Sequence, residues 1–223
     1  MVTDNKMLYT AGVLAQYLDN DEDGVPDNQK VVDEIVKNGG GIFMIEYQGK
    51  YEMSELHRIF DKYLPPGPKQ SVYARDTYPD ALVDGVFNRP REEVLKGALN
   101  APWEEVLHLI TRQGYANAYP ETLGYTSGTD LANAMDLARG GHYPDKRPEK
   151  HPDGAWYTYY DDGSCDYDCM MSEYIYWAFT SFIGAQDIPG RVEQIGNEWR
   201  PNTKEKLMKQ DPAHGNCGFN CRL

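Results

Sequence analysis

Pro102-Trp-Glu-Glu-Val-Leu-His-Leu-Ile-Thr-Arg-Gln-Gly114 carries the marks of a helix. Proline is at ease in a first helical turn, Glu104 and Glu105 sit near the positive end of the helix dipole, and Gly114 stands where helices stop. Glu104 and His108 are four residues apart, so they share a face with Cβ atoms roughly 5–6 Å apart. Glu105 lies one position further round, and Val106, Leu107, Leu109 and Ile110 make the remainder apolar. A carboxylate and an imidazole on an apolar helix call for partners, because burying them unpaired is costly. Two readings follow. Either the acids merely favour a helix start, by about 0.3–1 kcal/mol each, with His108 hydrogen-bonded in a core, or this face holds a metal.

The stretch resembles the zinc-peptidase helix His-Glu-x-x-His, in which two histidines bind the metal and the glutamate acts as general base on a metal-bound water. Glu105-Val-Leu-His108 matches its last four positions, and Glu104 stands at the place of the first histidine. The gluzincin branch adds a glutamate from a later helix. Ser172-Glu-Tyr-Ile-Tyr-Trp-Ala-Phe179 resembles that helix in the anthrax lethal factor type, with Glu173 at the ligand position. The resemblance implies a zincin-like fold with Glu104, His108 and Glu173 around a second divalent metal, and Glu105 as base if the protein is an active hydrolase. Two carboxylates weaken the Lewis acidity that lowers the pKa of bound water. They also shift preference from zinc toward harder ions such as manganese or iron. Metal binding without strong peptidase activity is therefore the expectation, and an active metallopeptidase the alternative.

A second acidic signal is Asp19-Asn-Asp-Glu-Asp-Gly-Val-Pro-Asp-Asn28. Asp19, Asp21, Asp23, Gly24 and Asp27 occupy positions 1, 3, 5, 6 and 9 of an EF-hand calcium loop, and Gly24 permits the turn that brings in the Val25 carbonyl. Three carboxylates on one turn need a hard cation to relieve their repulsion. Position 12 holds Lys30, and Asp33 or Glu34 on the following helix is the candidate substitute. The run also resembles the loops of thrombospondin type 3 and dockerin-like repeats. A solvated acidic turn is the simpler alternative.

The 223 residues carry 22 Lys and Arg against 35 Asp and Glu, a formal net charge of −13. Such a surface repels nucleic acid and anionic membranes and attracts cations. No run of 18 apolar residues is present to span a membrane. Met1-Val-Thr-Asp-Asn5 shows no basic segment followed by an apolar one, so the chain reads as either cytosolic or a mature form. The cysteines favour the second. Cys165, Cys169, Cys217 and Cys221 form two close pairs, which fits two disulfides in a secreted, extracellular protein; a four-cysteine zinc site competes. Links from the C-terminal tail to the Asp161–Asp168 segment are the favoured pairing.

Apolar spacing predicts helices over 7–18, Gln29–Lys37, Ser54–Tyr63, Arg91–Leu99, Ser127–Arg139 and about Cys169–Phe182, with Arg191–Met208 a polar surface helix. Ile42–Tyr47, Ser71–Ala74 and Trp156–Tyr160 have strand character, and Asp80–Asn88 is rich in turns. His142 follows Gly140-Gly141 and is a further metal-ligand candidate, though histidine there is more often at the surface. Residues 143–155 form a proline-rich surface loop rather than a linker. The fold expected is a mostly helical α+β single domain over 1–223, with a small sheet beside the Pro102 helix and the calcium-binding loop 19–28 within it. No nucleophile elbow, phosphate loop or dinucleotide fingerprint is present. A calcium-stabilised binding or pigment protein without a second metal is the third reading, its Tyr and Trp serving a partner.

Overall fold

The computed structural model describes residues 1–47, 49, 53–64, 66–79, 100–145, 148–158 and 165–211. It is mostly helical with one small sheet, the expected α+β class. The described residues fall into two compact units, 1–118 and 119–211. The expected turns over 80–88, the helix over 91–99, Cys217 and Cys221 lie outside the described residues.

In the first unit α1 (Asp4–Leu18) starts three residues before its apolar repeat, because the Thr3 hydroxyl caps it by accepting from the Lys6 amide at 3.4 Å. α2 (Gln29–Lys37) buries Val31 and Ile35, one turn apart on one face. β1 (Gly41–Ile45), α3 (Met53–Tyr63) and β2 (Lys69–Tyr73) then form a parallel pair with a helical crossover, in register from Gly41↔Lys69 to Ile45↔Tyr73. Parallel strands need such a crossover because a tight turn cannot reverse the chain twice. α4 (Ala101–Leu109) packs on both strands and on α1, burying Val106, Leu107 and Leu109.

Gly114 does not stop this helix. The chain continues as a wider π-helical turn over Ile110–Tyr115 and a last α-turn over Ala116–Ala118, with the Thr111 hydroxyl donating to the Leu107 carbonyl at 2.8 Å. What Gly114 supplies is space. A Cβ there would lie 2.5 Å from Val31 Cγ1 and 3.1 Å from the Ile35 side chain, so its absence lets α2 close on the turn. Gly114→Ala gains about 1 kcal/mol of helix propensity. It loses about 1–3 kcal/mol to overpacking, since Val31 is β-branched and locked in its rotamer. Urea unfolding is expected to show net destabilisation, reversed in a Val31→Ala background. A stabilised single variant would sink this account.

The second unit contains α5 (Pro120–Leu123), α6 (Asp130–Arg139), α7 (Tyr167–Phe182), α8 (Arg191–Ile195) and α9 (Lys204–Gln210). α6 packs against α5 and α7, and α9 against α7. Thr129 opens α6: its hydroxyl accepts from the Ala132 amide at 3.2 Å and donates to the Gly124 carbonyl at 2.8 Å. Gly140, at φ 76°, closes it in the left-handed conformation that side chains disfavour. α7 is buried nearly all round from Met170 to Ala178, which makes it the central helix of this unit. Residues 143–145 and 148–154 form an irregular, mostly exposed loop.

Two expectations are corrected here. Residues 191–208 are not one surface helix: α8 and α9 are separated by a turn that buries Trp199 completely. Arg191 is buried too, because Gln186 and Gln194 supply amide oxygens to its guanidinium at 2.8 and 3.1 Å. Trp199 forms a single antiparallel bridge with Tyr157, all that the described part of the expected 156–160 strand contributes. The second correction concerns the cysteines. Cys165 is bonded to Cys169, with Cα atoms 5.2 Å apart, so neither is tied to the C-terminal tail and neither sulfur is a thiolate ligand of a four-cysteine zinc site. Alkylation without reductant followed by peptide mapping is expected to leave both unmodified. A labelled thiol at either position would refute the link.

Candidate metal centres

Helix spacing decides the first arrangement. Glu104 in the first turn of α4 and His108 in its last turn each offer a ligand atom within 4.8 Å of the other. Pro102 sets the helix start, and Asn100 anchors the turn before it by accepting from the Tyr78 amide at 3.2 Å and donating to the Tyr9 hydroxyl at 2.9 Å. His108 is buried. Burial pushes its pKa down to about 4, and the positive charge of Arg112 adds to that, so the imidazole is neutral near pH 7, the form that binds metals.

Glu105 faces the sheet. Its carboxylate accepts a hydrogen bond from the Gln70 amide on β2. Burial raises its pKa to about 7, with the Gln70 bond pulling the other way. Its Oε2 lies 3.9 Å from His108 Nδ1, beyond hydrogen-bond reach. With the imidazole neutral, this contact is not an ion pair. Gln70 carries no signal in the sequence. It lies 35 residues before Glu105 and reaches it only because α4 packs on β2. Among the described residues His108 also lines a cleft of about 220 Å³ with Lys69, Gln70, Arg112 and Gln113.

Glu173 lies on α7 in the second unit and is buried. His142 is part of a different cluster. Its Nδ1 lies 2.6 Å from Asp136 Oδ2, which also accepts from the Tyr167 hydroxyl at 2.9 Å. Burial and that bond hold the Tyr167 phenol well above its usual pKa.

In the acidic loop the structure brings Asp19, Asp21 and Asp27 together, each offering a carboxylate oxygen within 4.8 Å of the others. Backbone amides orient them: Asp19 accepts from the Asp23 and Gly24 amides at 3.1 and 2.8 Å, and Asp27 from the Asn20 amide at 2.8 Å. Glu22 (φ 58°) and Gly24 (φ 83°) take left-handed conformations that tighten the turn. Asp23 is not among the three; its carboxylate accepts from the Val25 amide at 2.8 Å. Nor does the structure draw in a twelfth-position acid. Asp33 accepts from Gln29 at 2.8 Å and Glu34 from Lys37 at 3.0 Å, while Lys30 donates to the Ala118 carbonyl.

Comparison with family models, curated proteins and solved structures finds no match to this chain. No helix among the described residues is long and apolar enough to cross a membrane.

Proposed function

We propose that the chain is an extracellular protein that binds divalent cations. Calcium occupies the Asp19–Asp27 loop, and a second, harder divalent ion is held by Glu104 and His108. The observation that carries the calcium reading is the convergence of Asp19, Asp21 and Asp27 on one turn. Hard oxygen ligands of that charge suit calcium. The second ion rests on the buried, neutral imidazole beside a carboxylate on one helix face. Glu173 joins as third ligand on the sequence resemblance alone. The Cys165–Cys169 disulfide supports an oxidising compartment.

Three carboxylates without a bidentate glutamate place calcium affinity at the weak end, with a Kd on the order of 0.1–1 mM. Calcium at ten times its Kd should then stabilise the chain by about 1.4 kcal/mol. EGTA is expected to lower the melting temperature, calcium to restore it, and Asp21→Ala to abolish the response. A melting curve indifferent to chelator, calcium and substitution would remove the calcium assignment.

A metal-dependent hydrolase is the second reading, favoured by Glu105. A half-buried carboxyl with its pKa raised to about 7 is matched to general-base work at neutral pH.

A further inference from the structure

α1 and α4 of the first unit enclose a groove of about 370 Å³, lined among the described residues by Tyr9, Gly12, Val13, Gln16, Tyr17 and Trp103. That volume suits a small molecule. Half the lining is aromatic, and the rings are fixed in place. The Tyr9 hydroxyl accepts from Trp103 Nε1 at 3.0 Å and from Asn100 Nδ2 at 2.9 Å. The Tyr17 hydroxyl donates to the Trp103 carbonyl at 3.1 Å. The Tyr17 and Trp103 rings stand edge to face, 6.3 Å apart at 80°.

Gly12 sits in the middle of α1, where glycine weakens a helix relative to alanine. No packing demand explains it, since a Cβ there would meet nothing within 4 Å. Its effect is to leave the groove floor open between the rings. The polar ends of the lining are used internally, Gln16 included, which donates to the Asn20 carbonyl at 3.0 Å. A sugar, which needs many hydrogen bonds, is poorly matched to such walls. A cation that needs none is well matched. Charge points the same way. The Tyr17 end of the groove is the negative end of the α1 dipole. It runs directly into Asp19, Asp21, Glu22, Asp23 and Asp27, whose charge one calcium ion offsets only in part. Glu104 follows Trp103 at the other wall.

We propose that this groove binds a small quaternary ammonium compound, its trimethylammonium group seated over Gly12 among the rings of Tyr9, Tyr17 and Trp103. The test is titration of the full chain with choline in EGTA, followed by Trp fluorescence and NMR, so that the metal sites do not enter the result. Saturable binding is expected, at least about tenfold tighter than that of dimethylbutanol, the neutral isostere with carbon in place of nitrogen. Trp103→Leu removes a wall, and Gly12→Leu fills the groove while keeping every ring. Each should weaken choline binding at least about tenfold. Circular dichroism checks that the variants are folded, and Gly12→Leu, whose Cβ meets nothing within 4 Å, guards against loss of fold in Trp103→Leu. Equal affinity for the isostere, no saturation by choline, or unchanged binding in folded Gly12→Leu would overturn the proposal. So would sedimentation with phosphatidylcholine vesicles in place of choline binding.

Discussion

His108→Ala protein is expected to lose the second divalent metal, its affinity falling roughly 100-fold or more, since even residues that only orient ligands change affinity 10–100-fold. The imidazole is the one nitrogen donor in the proposed set, and its burial keeps it neutral and ready to bind. Glu173→Ala should lose the metal as well, which tests the ligand taken from the resemblance. Metal analysis of the dialysed proteins reads both results. Stoichiometric metal surviving in both variants would place the ion elsewhere. Glu104→His, which completes the zinc-peptidase motif, should raise zinc affinity if Glu104 and His108 hold the ion, and should change nothing if they only begin and end a helix. Casein assays distinguish the two readings of Glu105. Activity near neutral pH is expected to be slow or absent, because a water held by anionic ligands ionises at higher pH. Robust cleavage lost in Glu105→Gln would promote the hydrolase.

The largest loss of stability is expected from Trp199→Ala, about 3–5 kcal/mol. The indole is fully buried and donates to Ser181 Oγ at 2.9 Å and the Pro201 carbonyl at 3.1 Å. Its ring stands 6.1 Å from Tyr157 and 6.0 Å from Tyr174. Truncation leaves a cavity among these rings and strips a hydroxyl and a carbonyl of their donor. With a urea m-value of about 2 kcal/mol/M, the midpoint of the transition reporting on the second unit should fall by about 2 M. A fall under about 0.5 M would mean that the ring is not in the core.

Local chemistry made much of this chain legible. Apolar spacing and caps are properties of adjacent residues, so α2, α6 and α7 and the α+β class could be read directly. Gly140 marks the end of α6 through the left-handed φ that glycine favours, while the start lies at the Thr129 cap rather than at the expected Ser127. The pairing of Glu104 with His108 follows from helix geometry alone. The acidic loop was equally plain, since Asp19, Asp21 and Asp27 lie within nine residues and a single turn gathers them.

Other features depend on neighbours distant in sequence. Gly114 has the sequence signature of a helix stop, but the approach of Val31 and Ile35 makes it a packing position instead. Arg191 and Trp199 lie in a stretch whose composition says surface. They are buried because Gln186, Ser181 and Tyr157 satisfy the guanidinium and surround the indole. Gln70 reaches Glu105 only through the packing of α4 on β2; burial in that packing raises the carboxyl to about 7, against the pull of the Gln70 bond. The sequence by itself determined α2, α6 and α7, the acidic turn and the Glu104–His108 face, since each depends on backbone geometry over a few residues. Only the tertiary structure decided which glycine serves packing, which arginine is buried and how Glu105 titrates, since burial and desolvation depend on residues far along the chain.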